Sequence, residues 1–185
     1  MALGLDGHRG PRLGAMDFAN VYAHGLARVA ACTVPVALAN PAQNAARIID
    51  QVRHLHDDGV AVALFPELSL SGYAIDDLLL QDVLLDAVDQ AIVTVAHASR
   101  DLLPIIVVGA PVLMGNRLYN CGVVIHAGEV VGVAPKTYLP NYREFYEKRH
   151  FASGADCRDA VLHRPQWPGA DEDGDVPFGP DLLFE

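Results

Sequence analysis

Apolar residues along this chain fall into short blocks of two periods. Leu26 to Val34 (LARVAACTV) is a run of small and β-branched residues that Pro35 closes, which predicts a short buried strand. Asn40 and Pro41 stand where an N-cap and a first helical residue belong. Ala42, Ala45, Ile48, Ile49, Val52 and Leu55 then recur three or four apart up to Gly59, predicting an amphipathic helix. Val60 to Phe65 (VAVALF) is apolar at every position, the pattern of a strand covered on both faces, and it runs into Pro66-Glu67. Leu84, Leu85, Val88, Ile92, Val95 and Ala96 form a second helical stripe within Gln81 to about Ser99. Pro104 to Val108 predicts a third buried strand closed by Gly109, and Leu118 to His126 with Glu129 to Val133 predicts a hairpin turning at Ala127-Gly128. Two βα units followed by a strand meander predict an α/β domain with a mixed sheet.

The two ends differ from this middle. Residues 1–20 read as a loose leader with Met16 as a candidate start, and residues 21–185 as the single domain. The leader has no apolar stretch of the kind a secretory signal carries. Residues 153–180 hold Gly154, Pro165, Pro168, Gly169, Gly174, Pro177, Gly179 and Pro180 beside the acidic run Asp171, Glu172, Asp173 and Asp175, which predicts loop and turns. The closing DLLFE resumes an apolar pattern, like the start of a further element.

Composition narrows the function classes. With 185 residues there is room for one domain and not for two catalytic ones, and 51% hydrophobic residues against 19% charged supply a core and exclude disorder for most of the chain. Thirteen Lys and Arg against 23 Asp and Glu give a net charge of −10, the wrong sign for nucleic acid or an anionic membrane surface as main partner. No apolar run has the length of a membrane span. Cys32, Cys121 and Cys157 are odd in number and far apart, so a reducing, cytoplasmic setting is expected. Gly-rich phosphate loops are missing, which excludes ATP or dinucleotide chemistry by that route. No metal site is expected: His54 and His56 cannot share a helix face, and DEDGD reads as a solvated loop.

Two residues stand where chemistry could sit. Glu67, in FPELSLSGY, follows a buried strand at its carboxyl end, where open α/β sheets bind ligands. Apolar walls there would disfavour its ionised form and suit it to general-base work; the plainer reading is a strand-end acid capping the next turn. Lys136 also follows a strand (EVVGVAP), and an ammonium, which only donates, suits a developing oxyanion. In the TYLPNYREFYEKRHF that follows, aromatic residues interleave with charges, as in either a solvated segment or the wall of a polar pocket.

FPELSLSGY, followed after a strand pair by PKTYLPNYREFYEKRHF, resembles the carbon–nitrogen hydrolase (nitrilase) superfamily, most closely the glutaminase domain of glutamine-dependent NAD synthetases of the actinobacterial type. The likeness covers about residues 20 to 151. It implies a four-layer α-β-β-α sandwich, incomplete at its C-terminal side here, and a Glu-Lys-Cys triad. Glu67 matches the general base and Lys136 the oxyanion donor. Glu144 matches a second Glu beside the Lys, with Glu147 as the fallback, and Tyr73 and Tyr142 match positions lining the glutamine pocket. A Cys would attack the side-chain amide of glutamine, or of another small amide, through a thioester. The ammonia would pass to a synthetase domain, absent from this sequence, that uses ATP and deamido-NAD; the glutaminase domain itself needs no cofactor. Intact members are expected to be homo-oligomers.

The implied nucleophile follows a further strand, and none of the three cysteines matches it. Cys157 comes only 21 residues after Lys136 in a Gly/Asp-rich stretch, while Cys32 and Cys121 sit in predicted strands as small buried residues. The expectation is a truncated glutaminase portion, inactive alone and marginally stable. Two alternatives stay open: a stand-alone amidase of the same superfamily, and a non-catalytic interaction remnant with an exposed sheet edge.

Overall fold

The computed structural model describes residues 20–184, so most of the predicted leader lies outside the described residues. The strands are β1 (Val29–Ala31), β2 (Val62–Leu64), β3 (Ile105–Met114), β4 (Arg117–His126), β5 (Glu129–Pro135), β6 (Ala160–His163) and β7 (Asp175–Phe178). The helices are α1 (Pro41–Asp57) and α2 (Asp82–Ala98), with three short 3-10 turns at Val21–His24, Asp76–Leu80 and Glu147–Arg149. All seven strands join in one sheet ordered β1-β2-β3-β4-β5-β7-β6. β1, β2 and β3 run parallel, β3-β4-β5 is an antiparallel meander, and β7 pairs parallel to β5 and antiparallel to β6. The predicted mixed sheet is therefore present.

α1 begins as its sequence dictates, with the Asn40 side chain accepting from Gln43 N–H and Pro41 in the first turn. Its apolar stripe and that of α2 meet the sheet in one core, in which Ile48, Val52, Val88, Ile92 and Val95 pack with Ala63, Ile106, Val108, Ala110, Val112, Val123, Ile125 and Val133. The strand members of that set alternate along β3 and face one another across the β3–β4 register. They belong to one face of the sheet.

The other face is different, and this corrects the expectation for the second strand. β2 is covered on one side only: Ala63 is fully buried while Leu64 is 50% exposed, and Val29 on β1 is exposed as well. A second, smaller cluster of Leu68, Ile75, Leu79, Leu84, Leu118 and Phe151 gathers at one end, built from the segments that follow β2 and β5.

Three further expectations change. β3 does not stop at Gly109 but continues to Met114. A Cβ at Gly109 would lie 2.3 Å from the Leu68 nitrogen and 2.5 Å from the Pro66 carbonyl oxygen, so the glycine marks a close crossing and not a strand end. Residues 153–180, expected as loop, contain β6 and β7. Val176 and Phe178 fill the core by alternation, Trp167 is buried beside them, and the acidic run is the turn between, where Asp171 accepts from the amides of Asp173 and Asp175. The first strand is shorter than predicted, three residues at Val29–Ala31. The hairpin turn lies where expected, with Ala127 and Gly128 both at positive φ, the geometry that matches strand twist.

Candidate active site

Glu67 stands three residues past the end of β2, in a turn that continues β2's pairing with β3. Phe65 N–H donates to the Val107 carbonyl at 2.8 Å, Leu70 N–H to the Gly109 carbonyl at 3.0 Å, and Gly109 N–H to Ser69 Oγ at 3.1 Å. Leu68 adopts a left-handed φ of 49°, and its fully buried side chain anchors the turn in the smaller cluster. Only a residue without a Cβ at position 109 allows this turn to lie against β3.

Lys136 follows β5 and is fixed through its main chain. Its N–H donates to the Asn120 carbonyl of β4 at 2.8 Å, and its own carbonyl accepts from Gly154 N–H at 3.0 Å. Its side chain reaches back across the sheet end, so that the ammonium lies 2.6 Å from Glu67 Oε1 and 3.0 Å from Glu147 Oε1. Glu147 is 4% exposed. Its Oε1 also accepts from the Tyr73 hydroxyl at 2.9 Å, while its Oε2 is buried without a hydrogen-bond partner. Glu67 Oε1 takes a second hydrogen bond from Asn120 Nδ2.

The result is one ammonium between two carboxylates, each also held by a neutral donor. Burial works against the Lys136 charge, and the hydrogen bonds to Glu67 and Glu147 outweigh it, so its pKa lies above the ordinary lysine value. Tyr73 is pushed well up, first by burial and then by its hydrogen bond to Glu147 and the nearby negative charges. Lys136 therefore stays an ammonium and Tyr73 a neutral donor across the neutral range.

The predicted residues meet this frame unequally. Glu67 and Lys136 come together, though Glu67 is 41% exposed at its side chain and lies against polar partners, where apolar walls were expected. The partner of the ammonium is Glu147 and not Glu144; Glu144 is exposed and borders a neighbouring cleft of about 260 Å³ with Tyr73, Asp76, Phe145, Tyr146 and Glu147. The 3-10 turn at Glu147–Arg149 explains the difference, because it turns Glu147 inward while the preceding residues stay outside. Tyr73 borders that cleft with its hydroxyl committed to Glu147. Tyr142 is 63% exposed and packs against Phe145, with ring centroids 5.9 Å apart, outside the cleft lining.

Sequence reading missed Asn120, Gly109 and Asp77. Asn120 is the single side-chain amide in the otherwise apolar run LYNCGVVI, which is the signal that pointed to it. Asp77 receives Arg149 through both oxygens, at 2.9 and 3.0 Å, and has His150 Nε2 3.2 Å from one of them; Tyr146 OH donates to Asp76 at 2.6 Å. These contacts tie the Glu147 segment to the turn after Glu67. The Arg149 and His150 hydrogen bonds hold Asp77 below its ordinary carboxylate value.

All three cysteines of the chain are free thiols, buried or half-buried. Cys121 borders the cleft beneath Glu67 and Lys136, yet it is 3% exposed, packs into the helix-side core, and burial raises its thiol well above the ordinary value. Cys157 is buried in the same core. Cys32 is half-buried, its thiol also raised by burial, and its sulfur contacts the Ala30 carbonyl at 4.0 Å. Among the described residues there is no cluster of His, Cys, Asp and Glu that could hold a metal ion, and no helix long and apolar enough to cross a membrane.

Comparison with known proteins agrees with this geometry. The carbon-nitrogen hydrolase family model matches residues 28–171. The glutamine-dependent NAD(+) synthetase of Mycobacterium leprae is 51% identical over 176 residues, and that of Mycobacterium tuberculosis (strain ATCC 25618 / H37Rv) is 53% identical over 169; each match covers 91% of this chain. The chain spans 24% of the length of these relatives. Among solved structures, a glutamine-dependent NAD(+) synthetase from Cytophaga hutchinsonii superposes with a TM-score of 0.73 at 24% identity over 86% of this chain and 26% of that one, a likeness of fold. Sheet, frame and family match together identify the chain as a member of the carbon-nitrogen hydrolase family, with close homology to the glutaminase domain of glutamine-dependent NAD synthetases.

Proposed function

We propose that this chain supplies the base and oxyanion-binding parts of a glutamine amidohydrolase site, the ammonia-providing function of a glutamine-dependent NAD synthetase. The observation that carries the reading is the Lys136 ammonium bridging Glu67 and Glu147 at 2.6 and 3.0 Å. Homology at about half identity to the mycobacterial synthetases supports glutamine as the amide.

In this reading a cysteine thiol gives its proton to Glu67 and its sulfur attacks the side-chain amide carbon. The oxyanion that forms is met by the Lys136 ammonium, which Glu147 holds in place. Glu67 returns the proton to the departing nitrogen, ammonia leaves, and water resolves the thioester with Glu67 again as base. The cleft of about 260 Å³ beside Glu147 is the seat for the rest of the substrate. The reacting thiol is taken to be none of Cys32, Cys121 and Cys157, which are buried or half-buried. ATP and deamido-NAD are assigned to a synthetase domain, and no cofactor is assigned to this one.

Substrate binding is tested through the two lysines. Lys136 and Lys148 are the only ones in the chain, so competitive acylation read by mass spectrometry reports Lys136 against an internal standard. Millimolar glutamine is expected to slow acylation of Lys136 and leave Lys148 unchanged, and glutamate is expected to protect less. Equal protection by unrelated amino acids, or none by glutamine, would remove the glutamine assignment.

A further inference from the structure

Among the described residues two asparagines are buried, and they are used differently. Asn44, 0% exposed, spends its side chain on the main chain: Nδ2 donates to the Ala37 and Leu70 carbonyls at 2.8 Å each, and Oδ1 accepts from Ala37 N–H at 2.7 Å. That is a structural asparagine, closing a loop. Asn120, 3% exposed in the middle of β4, directs Nδ2 to the carboxylate of Glu67. Its main-chain carbonyl accepts the N–H of Lys136. One residue thus holds both members of the pair, Glu67 by its side chain and Lys136 by its backbone.

We propose that Asn120 is the positioning residue of the Glu67–Lys136 pair. Strand alternation puts Asn120 on the same face as Gly122, and Gly122 is opposite Ala134, two residues before Lys136. Glu67, Asn120 and Lys136 accordingly border one cleft together with Gly109 and Gly122, and the glycine at 109 lets the Glu67 turn lie directly on the strand. The donor aimed at Glu67 is neutral. A cation there would compete with Lys136 for the carboxylate, and a carboxylate would repel it; an amide fixes the orientation of Glu67 and leaves the charge balance to Lys136. Both Asn120 and Lys136 bond to Oε1, which leaves Oε2 as the oxygen directed to an incoming proton. The neutral donor on the other carboxylate, Tyr73 on Glu147 Oε1, has the same relation to Lys136.

The catalytic meaning rests on reading Glu67 and Lys136 as the reacting pair, but the test needs no glutamine. Competitive acylation of the 185-residue chain is followed from pH 8 to 10 in the native protein and in Asn120→Leu, Asn120→Ser, Glu67→Gln and the Asn120→Leu/Glu67→Gln double variant. Leu keeps the branching and heavy-atom count of Asn without a donor, and Ser keeps a polar group too short to reach Glu67. Circular dichroism and the thermal midpoint accompany each. Native Lys136 is expected to react severalfold more slowly than Lys148, because Glu67 and Glu147 hold its ammonium and it is only 29% exposed. Asn120→Leu and Asn120→Ser are each expected to speed Lys136 about threefold or more with Lys148 unchanged, and the double variant to be no faster than Glu67→Gln alone, as for residues acting through one another. If folded Asn120→Leu and Asn120→Ser both leave Lys136 at its native rate while Glu67→Gln speeds it, Asn120 is a structural residue only and the proposal falls. Should glutamine fail to protect Lys136 while this pattern holds, the substrate assignment fails and the positioning role stands.

Discussion

The two faces of the sheet present opposite solutions to the same strands. On the helix-covered face, Val108, Ala110, Val112, Val123 and Ile125 are essentially inaccessible and meet α1 and α2 in a continuous core. On the other face, Leu64 and Val29 are open to solvent, glycines stand at 109 and 122, and Glu67, Asn120 and Lys136 border one cleft. One face carries the core and the other the candidate site. A site assembled from backbone crossings and three long polar side chains needs space above the strands, and the open face provides it.

Variants separate the two roles. Ile92→Ala, in the covered core, is expected to cost about 2–5 kcal/mol because the cavity cannot refill from neighbouring strands. Thermal or urea unfolding measures it, and Lys136 acylation in the remaining folded protein should not change. Gly109→Ala is expected to cost about 1–3 kcal/mol by forcing a methyl group into the Leu68 and Pro66 backbone. Unlike Ile92→Ala it should also speed Lys136 acylation, because the Glu67 turn must move. A stability loss without that change would detach Gly109 from the site. Leu64→Ser, on the open face, should lie within about 0.5 kcal/mol of native. A larger loss by thermal denaturation would mean that the open face is covered in solution.

The smallest expected effect concerns pH. Asp77 is held below its ordinary value by Arg149 and His150, so its contribution is present above about pH 4 and is lost as pH falls through the depressed value. Hydrogen exchange of residues 146–150 should accelerate over that acid range, and Asp77→Asn should abolish the acid dependence. Lys136 has the opposite sign. With its pKa raised, its contribution is intact at neutral pH and is lost only as pH rises beyond the ordinary lysine range.

Much of this was legible beforehand for a physical reason. α1 and α2 are long, periodic and marked at their ends, and β4-β5 carries an Ala-Gly turn, so local sequence decides them. β6 and β7 were not legible, because each is four residues long and stabilised by β7 pairing with β5 and with β6 and by burying Leu162, Val176 and Phe178, contacts that no local pattern encodes. Gly109 looked like a strand end since a glycine at a crossing and a glycine at a stop are the same letter. In the site, Glu67 and Lys136 were readable from their strand-end positions. Glu147 displaced Glu144 at the ammonium because a single 3-10 turn decides which carboxylate faces inward, and spacing along the chain does not resolve that turn.

We propose that the thiol serving the Glu67–Lys136 frame is not among Cys32, Cys121 and Cys157. Ammonia release from glutamine by the purified 185-residue protein tests it most directly. Release no greater than in the protein-free control is expected, both for the native chain and for Glu67→Ala. Release above that control from the native chain, abolished by Glu67→Ala and by replacing any one of Cys32, Cys121 or Cys157, would contradict it.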